Sequence, residues 1–420
     1  MSSRRRTHPA SYLFLVIPFG VASGYPIVTL AFLLSRNHVG MGAIATLAAA
    51  TLMPSAWAFL FSPVVDTTLT SRKWYAIGAV CTALGLLAMS VVPLTSANLP
   101  LLGLVSMASN TAATFVSKAS GRVMAYATPD QERGRVSGWW NAGALAGTGL
   151  GGGLGLFLAG RLSAPWMVGA TLAAVCLLCA LPILSIPEPP RLPARGVVGN
   201  AAFVVKDVWG MARSRMGFLA LCLCFLPISS GAAANLWSAV ASDWQAGLGS
   251  VALVTGVLGG MMMAAGALTG GWLCDRMNRK TAYVAFGLLQ AGSALAMAVL
   301  PHTEWMFIVW TTAYAFVTGL TYAAFSAFAL EAIGIGAAAT KYAVLACASN
   351  ATIILITKSD GWAYGRFGAN GLLYFEAAAG LLGMALFLGV VAAVGRWWPA
   401  HWPHSVQLEL EPQAMPLPLE

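Results

Sequence analysis

The chain has 420 residues, of which 58% are hydrophobic and only 9% charged. A soluble domain ordinarily carries about 25% charged residues, so this composition excludes a cytosolic enzyme and a disordered chain. The net charge of +9 does not indicate a nucleic-acid binder, because the basic residues sit between apolar runs and not on one domain. The seven cysteines (Cys81, Cys176, Cys179, Cys222, Cys224, Cys274 and Cys347) lie in or at the ends of apolar segments, with neither zinc spacing nor a disulfide framework. No metal, cofactor or nucleic-acid partner is expected. What remains is a polytopic membrane protein.

A helix needs about 20 apolar residues to cross the hydrocarbon core. Twelve runs qualify, here numbered as spans 1 to 12. The first six are Tyr12–Leu34, Gly40–Phe61, Trp74–Val92, Leu99–Thr128, Val136–Ala159 and Ala164–Ile186. A polar stretch with prolines at 187, 189, 190 and 193 follows. The other six are Met216–Ala241, Ser250–Cys274, Thr281–Leu300, Trp305–Ile333, Tyr342–Tyr364 and Gly371–Val394. Lipid admits only helices or closed barrels, and these runs are too long for barrel strands. Arg4, Arg5 and Arg6 resemble a signal-peptide n-region, but the apolar run behind them is too long and lacks a cleavage site, so it reads as a retained first span.

Placing the N-terminus in the cytoplasm puts 17 of the 23 basic residues in cytoplasmic loops and only Arg36, Arg161 and Arg366 opposite. That asymmetry sets the orientation, with both termini cytoplasmic. The expected fold class is an all-α membrane protein of twelve transmembrane helices in two six-helix halves. Residues 1–187 form the first half, 188–215 a cytoplasmic linker, 216–396 the second half and 397–420 a cytoplasmic tail. At an offset of 209, Pro18 falls on Pro227 and Asp66 on Asp275, which points to an internal repeat.

The loop after span 8 reads Gly271-Trp-Leu-Cys-Asp275-Arg276-Met-Asn-Arg279-Lys280. The glycine would let two helices approach closely, and the aspartate would sit near a positive helix N-terminus. This segment resembles the G-x-x-x-D-R-x-x-R-K motif of major facilitator proteins; a plain basic loop is the alternative reading. The resemblance implies parallel repeats, alternating access, and a latch in which the motif holds the halves in the outward-facing state. The first-half copy is degenerate: Ser62 replaces the glycine ahead of Asp66, and Arg72-Lys73 come late. Together with Phe19-Gly20-Val21-Ala22-Ser23-Gly24-Tyr25-Pro26 in span 1, it is similar to the AmpG-type muropeptide permeases and the related acetyl-CoA transporters.

An ionisable group at membrane depth costs about 3 kcal/mol or more and asks for a reason. Lys118 and Arg122 share one face of span 4, and Lys118 lies about 15 Å from the cytoplasmic end. Arg122 is a further candidate to bind the solute, or is shallow enough to snorkel or to pair with Asp66, while its repeat counterpart Glu331 would serve Arg276 or Arg279. Lys118 has no acid one turn away, and is expected to face a central cavity and attract an anionic solute. Lys358, Asp360 and Glu376 are expected to form an ion-paired cluster. In the alternative, Glu331, Asp360 or Glu376 carries a coupling proton, and sequence does not choose among them. Further cavity candidates are Tyr25, Asn110 and Asn141 in the first half, and Asn235, Trp237, Tyr314, Tyr322 and Asn350 in the second. Each is equally able to be an interhelical hydrogen bond. Spacings such as Gly147/Gly151 and Gly256/Gly260 suit close helix contact.

Three function classes compete. An embedded transferase would need a catalytic His, Cys or carboxylate pair at an interface, and His8, His38, His302, His401 and His404 all lie at termini or loops. A receptor would need a signalling domain. Transport fits best: proton-coupled uptake of a polar or anionic small molecule such as a muropeptide, by a monomer among the lipids of a bacterial inner membrane, with drug or metabolite export as the alternative.

Overall fold

The computed structural model describes residues 8, 10–61, 64–65, 68–127, 133–188, 209–210, 213–228, 230–274, 276–277, 279–333 and 338–397. Among these there is no strand, and ten helical stretches are long and apolar enough to cross a membrane. Spans 1 to 6 are Ala10–Arg36, Met41–Leu60, Ser71–Val91, Ser96–Met124, Trp139–Ala159 and Pro165–Ser185. Spans 8, 9 and 10 are Leu248–Cys274, Thr281–Val299 and Glu304–Ser326. The last stretch lies within a helical segment, Ala338–Trp397, of 60 residues. A straight helix of that length would measure about 90 Å, three bilayer cores. Gly368, at φ 68 and ψ −163, turns the chain back, making residues 338–367 span 11 and 369–397 span 12.

Span 7 departs from the expected continuous helix. Arg215–Phe225 is helical, and the chain then opens until a 3₁₀ turn at Ala232–Leu236. Pro227 removes a backbone donor there, and Gly231 sits in the left-handed region at φ 65, where a side chain would be strained. Open backbone is tolerated at membrane depth only when protein satisfies its polar groups. Here Tyr283 Oη donates to the Ile228 carbonyl at 3.0 Å and Thr352 Oγ1 to the Cys224 carbonyl at 2.8 Å. With span 7 counted, the twelve crossings are complete.

Spans 1 and 5 touch backbone to backbone. A Cβ on Gly147 would run into the Ile17 carbonyl oxygen. Gly147→Val is therefore expected to cost about 2 kcal/mol through overpacking, read as a lower thermal unfolding midpoint in detergent. An unchanged midpoint would show that the two helices separate freely. Two of the expected glycine contacts are not made: a Cβ on Gly260 or Gly271 would meet nothing. In span 8 it is Gly266 and Gly270 that press against span 10, near the Phe316 carbonyl and Leu320.

The halves meet mostly at the face opposite the basic loops, called the far face below. Ser35 Oγ of span 1 donates to the Ala239 carbonyl of span 7 at 2.6 Å, and Ser238 Oγ to the Ile27 carbonyl at 2.9 Å. Gly153 of span 5 packs on Gly256 of span 8, and Gly361 of span 11 on Ala45 of span 2. One apolar cluster crosses between the halves there, joining Leu30, Phe32 and Leu34 to Trp237, Val240 and Phe307. Toward the basic face the clusters separate. Tyr12, Leu15, Tyr75 and Val116 pack in the first half, and Leu219, Leu223, Tyr283 and Phe387 in the second. The halves thus pack most broadly at the far face, while toward the basic face contact narrows to the edges of spans 2 and 11, where Asn350 reaches the Ser55 carbonyl.

Candidate functional site

The turn at Gly368 folds span 12 back along span 11. Asp360 and Glu376 lie eight residues to either side of it, so each sits at a depth of about 12 Å from the far end. That shared depth brings them together. Both are buried: Asp360 is 0% exposed and Glu376 is 6%. Tyr314 Oη of span 10 donates to Glu376 Oε1 at 2.7 Å, and Ser230 Oγ from the break in span 7 donates to it at 3.0 Å. Asp360 abuts the Glu376 carboxyl within hydrogen-bond reach, and no N–H or hydroxyl group among the described residues donates to its oxygens. The expected ion pair with Lys358 is not formed. That side chain is exposed, two residues away along a helix and hence on another face. The ion pair found among the described residues is Arg72–Glu188, at 3.9 Å.

The carboxyl pair is reached through Ser230. That residue lines a small cavity together with Cys224, Tyr283, Thr321, Tyr322 and Thr352. Several of these hydroxyls already spend their proton on the protein: Tyr283 on Ile228, Thr352 on Cys224 and Thr321 on the Thr318 carbonyl at 2.8 Å. The cavity therefore offers lone pairs more than donors. Tyr314 and Tyr322 divide by depth: Tyr314 is buried against Glu376, whereas Tyr322 is half exposed at the cavity wall.

The other polar candidates spread widely. Asn110 joins span 4 to span 1, donating to the Ala22 carbonyl at 2.9 Å and accepting from Ser23 Oγ at 2.9 Å. Tyr25 is buried within the first half, at a recess shared with Leu33, Met89 and Val168 and not at the seam between halves. Asn141 is exposed. Asn235 donates to Thr357 Oγ1 at 3.0 Å, inside the second half. Trp237 packs edge-on against Tyr314 with ring centres 5.3 Å apart. Asn350 reaches across the halves to the Ser55 carbonyl at 3.4 Å. Glu331 lies in a helical turn, and its side chain is outside the described residues.

Lys118 is half-buried on span 4 and makes no ion pair among the described residues. It lies near Cys347 of span 11, whose thiol rests on the backbone of Ala58 and Phe59 at the end of span 2. Arg122, one turn further toward the basic face, donates to the Val65 carbonyl at 3.2 Å. Asp66 and Asp275 lie outside the described residues. Of the second-loop motif, Arg276 stacks over Trp272 at 3.8 Å, while the side chains of Arg279 and Lys280 are not described.

In the first-half loop the geometry adds a contact that sequence reasoning missed. The Glu188 carboxylate accepts from the backbone N–H groups of Ser71 at 2.5 Å and Arg72 at 3.1 Å, capping span 3. Sequence reasoning also missed Ser230 and Gln290. Pro227 and Gly231 inside one apolar run were the available signal, since Gly/Pro-interrupted spans mark transporter binding sites.

Comparison with known proteins places this geometry. Residues 10–357 match the family model described as Major Facilitator Superfamily. The anhydromuropeptide permease of Escherichia coli strain K12 is 26% identical over 270 residues, which is 62% of this chain and 54% of the permease. The match thus spans about half the length of that relative. Among solved structures, a D-xylose-proton symporter aligns with a TM-score of 0.70 at 14% identity, covering 90% of this chain and 96% of its own. A POT family transporter in complex with a thioalcohol-conjugated peptide gives 0.68 at 12%, covering 92% and 96%. At those identities the structural likeness is one of fold.

Proposed function

The chain belongs to the Major Facilitator Superfamily, and from that premise we propose that it is a secondary active transporter that takes up a polar, anionic solute of the muropeptide class together with protons. Its family and its structural neighbours are transporters, not enzymes. In this reading residues 1–187 and 216–396 are halves that rock about a common site, joined by the linker 188–215, with 397–420 as a tail. The basic face is cytoplasmic, in the inner membrane of a bacterium. The broader contact between the halves at the far face, with separate apolar clusters toward the basic face, supports an inward-facing stage of alternating access. The Asp275 loop motif latches the opposite stage.

One observation carries the proton part. Two carboxyls share a buried pocket with no cation beside them, one bonded through Ser230 to a residue-lined cavity. Two negative charges held that close in a desolvated site repel strongly, so a proton shared between them relieves the pair. A site that gains and loses one positive charge as the cavity opens to either side is what coupling needs. Lys118, without an acid partner among the described residues and at a seam between spans of both halves, supports the anionic solute. The 26% identity to an anhydromuropeptide permease supports the class.

The test is uptake of labelled anhydromuropeptide into vesicles holding the purified chain, with and without an acid exterior. Concentrative uptake that needs the gradient is expected. Accumulation unaffected by collapsing the gradient would sink proton coupling, and no uptake of any muropeptide would sink the solute class.

A further inference from the structure

Around Glu376 the second half holds more buried acceptors than donors. Gln290 of span 9 is 2% exposed, and its Oε1 has no partner. Its other end is engaged: Gln290 Nε2 donates to Thr318 Oγ1 at 3.1 Å, a hydroxyl that in turn donates to the Tyr314 carbonyl at 2.8 Å. In this arrangement the Gln290 oxygen is a buried acceptor without a donor. Gln290 and Glu376 line one small cavity, with room for about a single water-sized or smaller guest, bounded also by Pro227 and Gly380. Among the described residues, both Asp360 oxygens beside Glu376 are without an N–H or hydroxyl donor, Glu376 being their one neighbour able to share a proton. The hydroxyl protons of Tyr314 and Ser230 both go to Glu376. No Lys, Arg or His joins the group: Lys358 is exposed, and no ion pair of Asp360 or Glu376 occurs among the described residues.

Each buried acceptor left bare costs about 1–3 kcal/mol. One proton on the carboxyl pair answers the repulsion between Asp360 and Glu376 but leaves the Gln290 oxygen bare. A bare monovalent cation answers several oxygens at once. The backbone adds to this. The half-helix Arg215–Phe225 ends at the same break, so its negative dipole end lies beside the cavity lined by Pro227. Half-helix C-terminal ends and unwound carbonyls are the groups with which membrane transporters coordinate Na⁺. A hydrated divalent ion fits poorly: Mg²⁺ keeps several waters and Ca²⁺ takes 6–8 oxygens, more than this enclosed space supplies.

We propose that Gln290, Glu376 and Asp360, with the Pro227 break, form a Na⁺ site in the second half, making Na⁺ a second ion for the carboxyl pair assigned above to protons. The proposal rests on that reading for its position but not for its test. Purified wild-type chain is unfolded thermally at fixed pH in sodium, potassium or choline chloride of equal ionic strength, and equilibrium binding of ²²Na⁺ is measured alongside. A saturable rise in midpoint with sodium alone is expected, with ²²Na⁺ binding near one ion per chain. Gln290→Leu, which removes a ligand oxygen that proton transfer does not use, should weaken that Na⁺ affinity by about tenfold or more. If Gln290→Leu does not fold, the wild-type binding measurement still decides. Equal midpoints in the three salts, an equal rise with potassium, or a larger response to micromolar Ca²⁺ would overturn the Na⁺ site. Proton-driven uptake persisting alongside such a negative result would leave the proposed function standing. Specific Na⁺ binding without any solute flux would do the reverse.

Discussion

Glu376→Gln is expected to abolish concentrative uptake while leaving solute exchange across the membrane intact. The amide keeps the shape of the carboxyl, so its oxygen still accepts from Tyr314 Oη and Ser230 Oγ, the contacts of 2.7 and 3.0 Å in the wild type. Its new N–H groups point to Asp360, whose oxygens lack donors, so the fold should not suffer. What the amide cannot do is gain or lose a charge. A carrier whose two halves still rock, but whose pocket no longer responds to protons, equilibrates its solute without driving it uphill. The measurement is a pair of assays on one vesicle preparation: gradient-driven accumulation, expected at background, and counterflow of labelled against unlabelled solute, expected near wild type. Accumulation at the wild-type level would remove Glu376 from coupling. Loss of both assays together with a lowered unfolding midpoint would assign it to structure instead.

Much of the fold was legible because lipid is an unforgiving solvent. An apolar run of about 20 residues has few alternatives to a crossing helix, and eleven of the twelve spans lie close to their expected ends. Span 7 was misread for a physical reason. Hydropathy sees side chains, whereas the break is a backbone event set by Pro227 and Gly231 and tolerated because Tyr283 and Thr352 reach in from other spans. Hydroxyls that arrive from 55 and 128 residues away leave no local mark in the sequence.

The site was less legible than the fold. Asp360 and Glu376 could be named as intramembrane acids, but their pairing depends on the turn at Gly368, which equalises their depth. Lys358 looked like their natural partner because it is near in sequence. Helical geometry places i and i+2 on different faces, and that rule outweighs proximity along the chain. Asn110 shows the converse: a polar residue on a span expected to line the pathway that binds the first half together, with both ends of its amide occupied.

Lys118→Ala is expected to weaken solute binding by about 2–3 kcal/mol, roughly 30- to 150-fold, the scale of a hydrogen bond to a charged group. The residue sits where spans 2, 4 and 11 converge on the basic side, beside Cys347 and half-buried. An ammonium held there, with no carboxylate among the described residues, is poorly compensated until an anion arrives. Lysine also suits a ligand of variable geometry, being a compact charge on a flexible stem. Lys118→Arg should recover only part of the affinity, because the planar fork needs more room and a fixed partner. Stability separates this role from a structural one. Breaking a buried ion pair costs about 3–5 kcal/mol, whereas removing an unpaired buried charge costs nothing or stabilises. The unfolding midpoint of Lys118→Ala without solute should therefore equal or exceed that of wild type, while the stabilisation conferred by saturating solute shrinks. A lowered midpoint with unchanged solute affinity would make Lys118 a strut between the halves and leave the anion to be bound elsewhere.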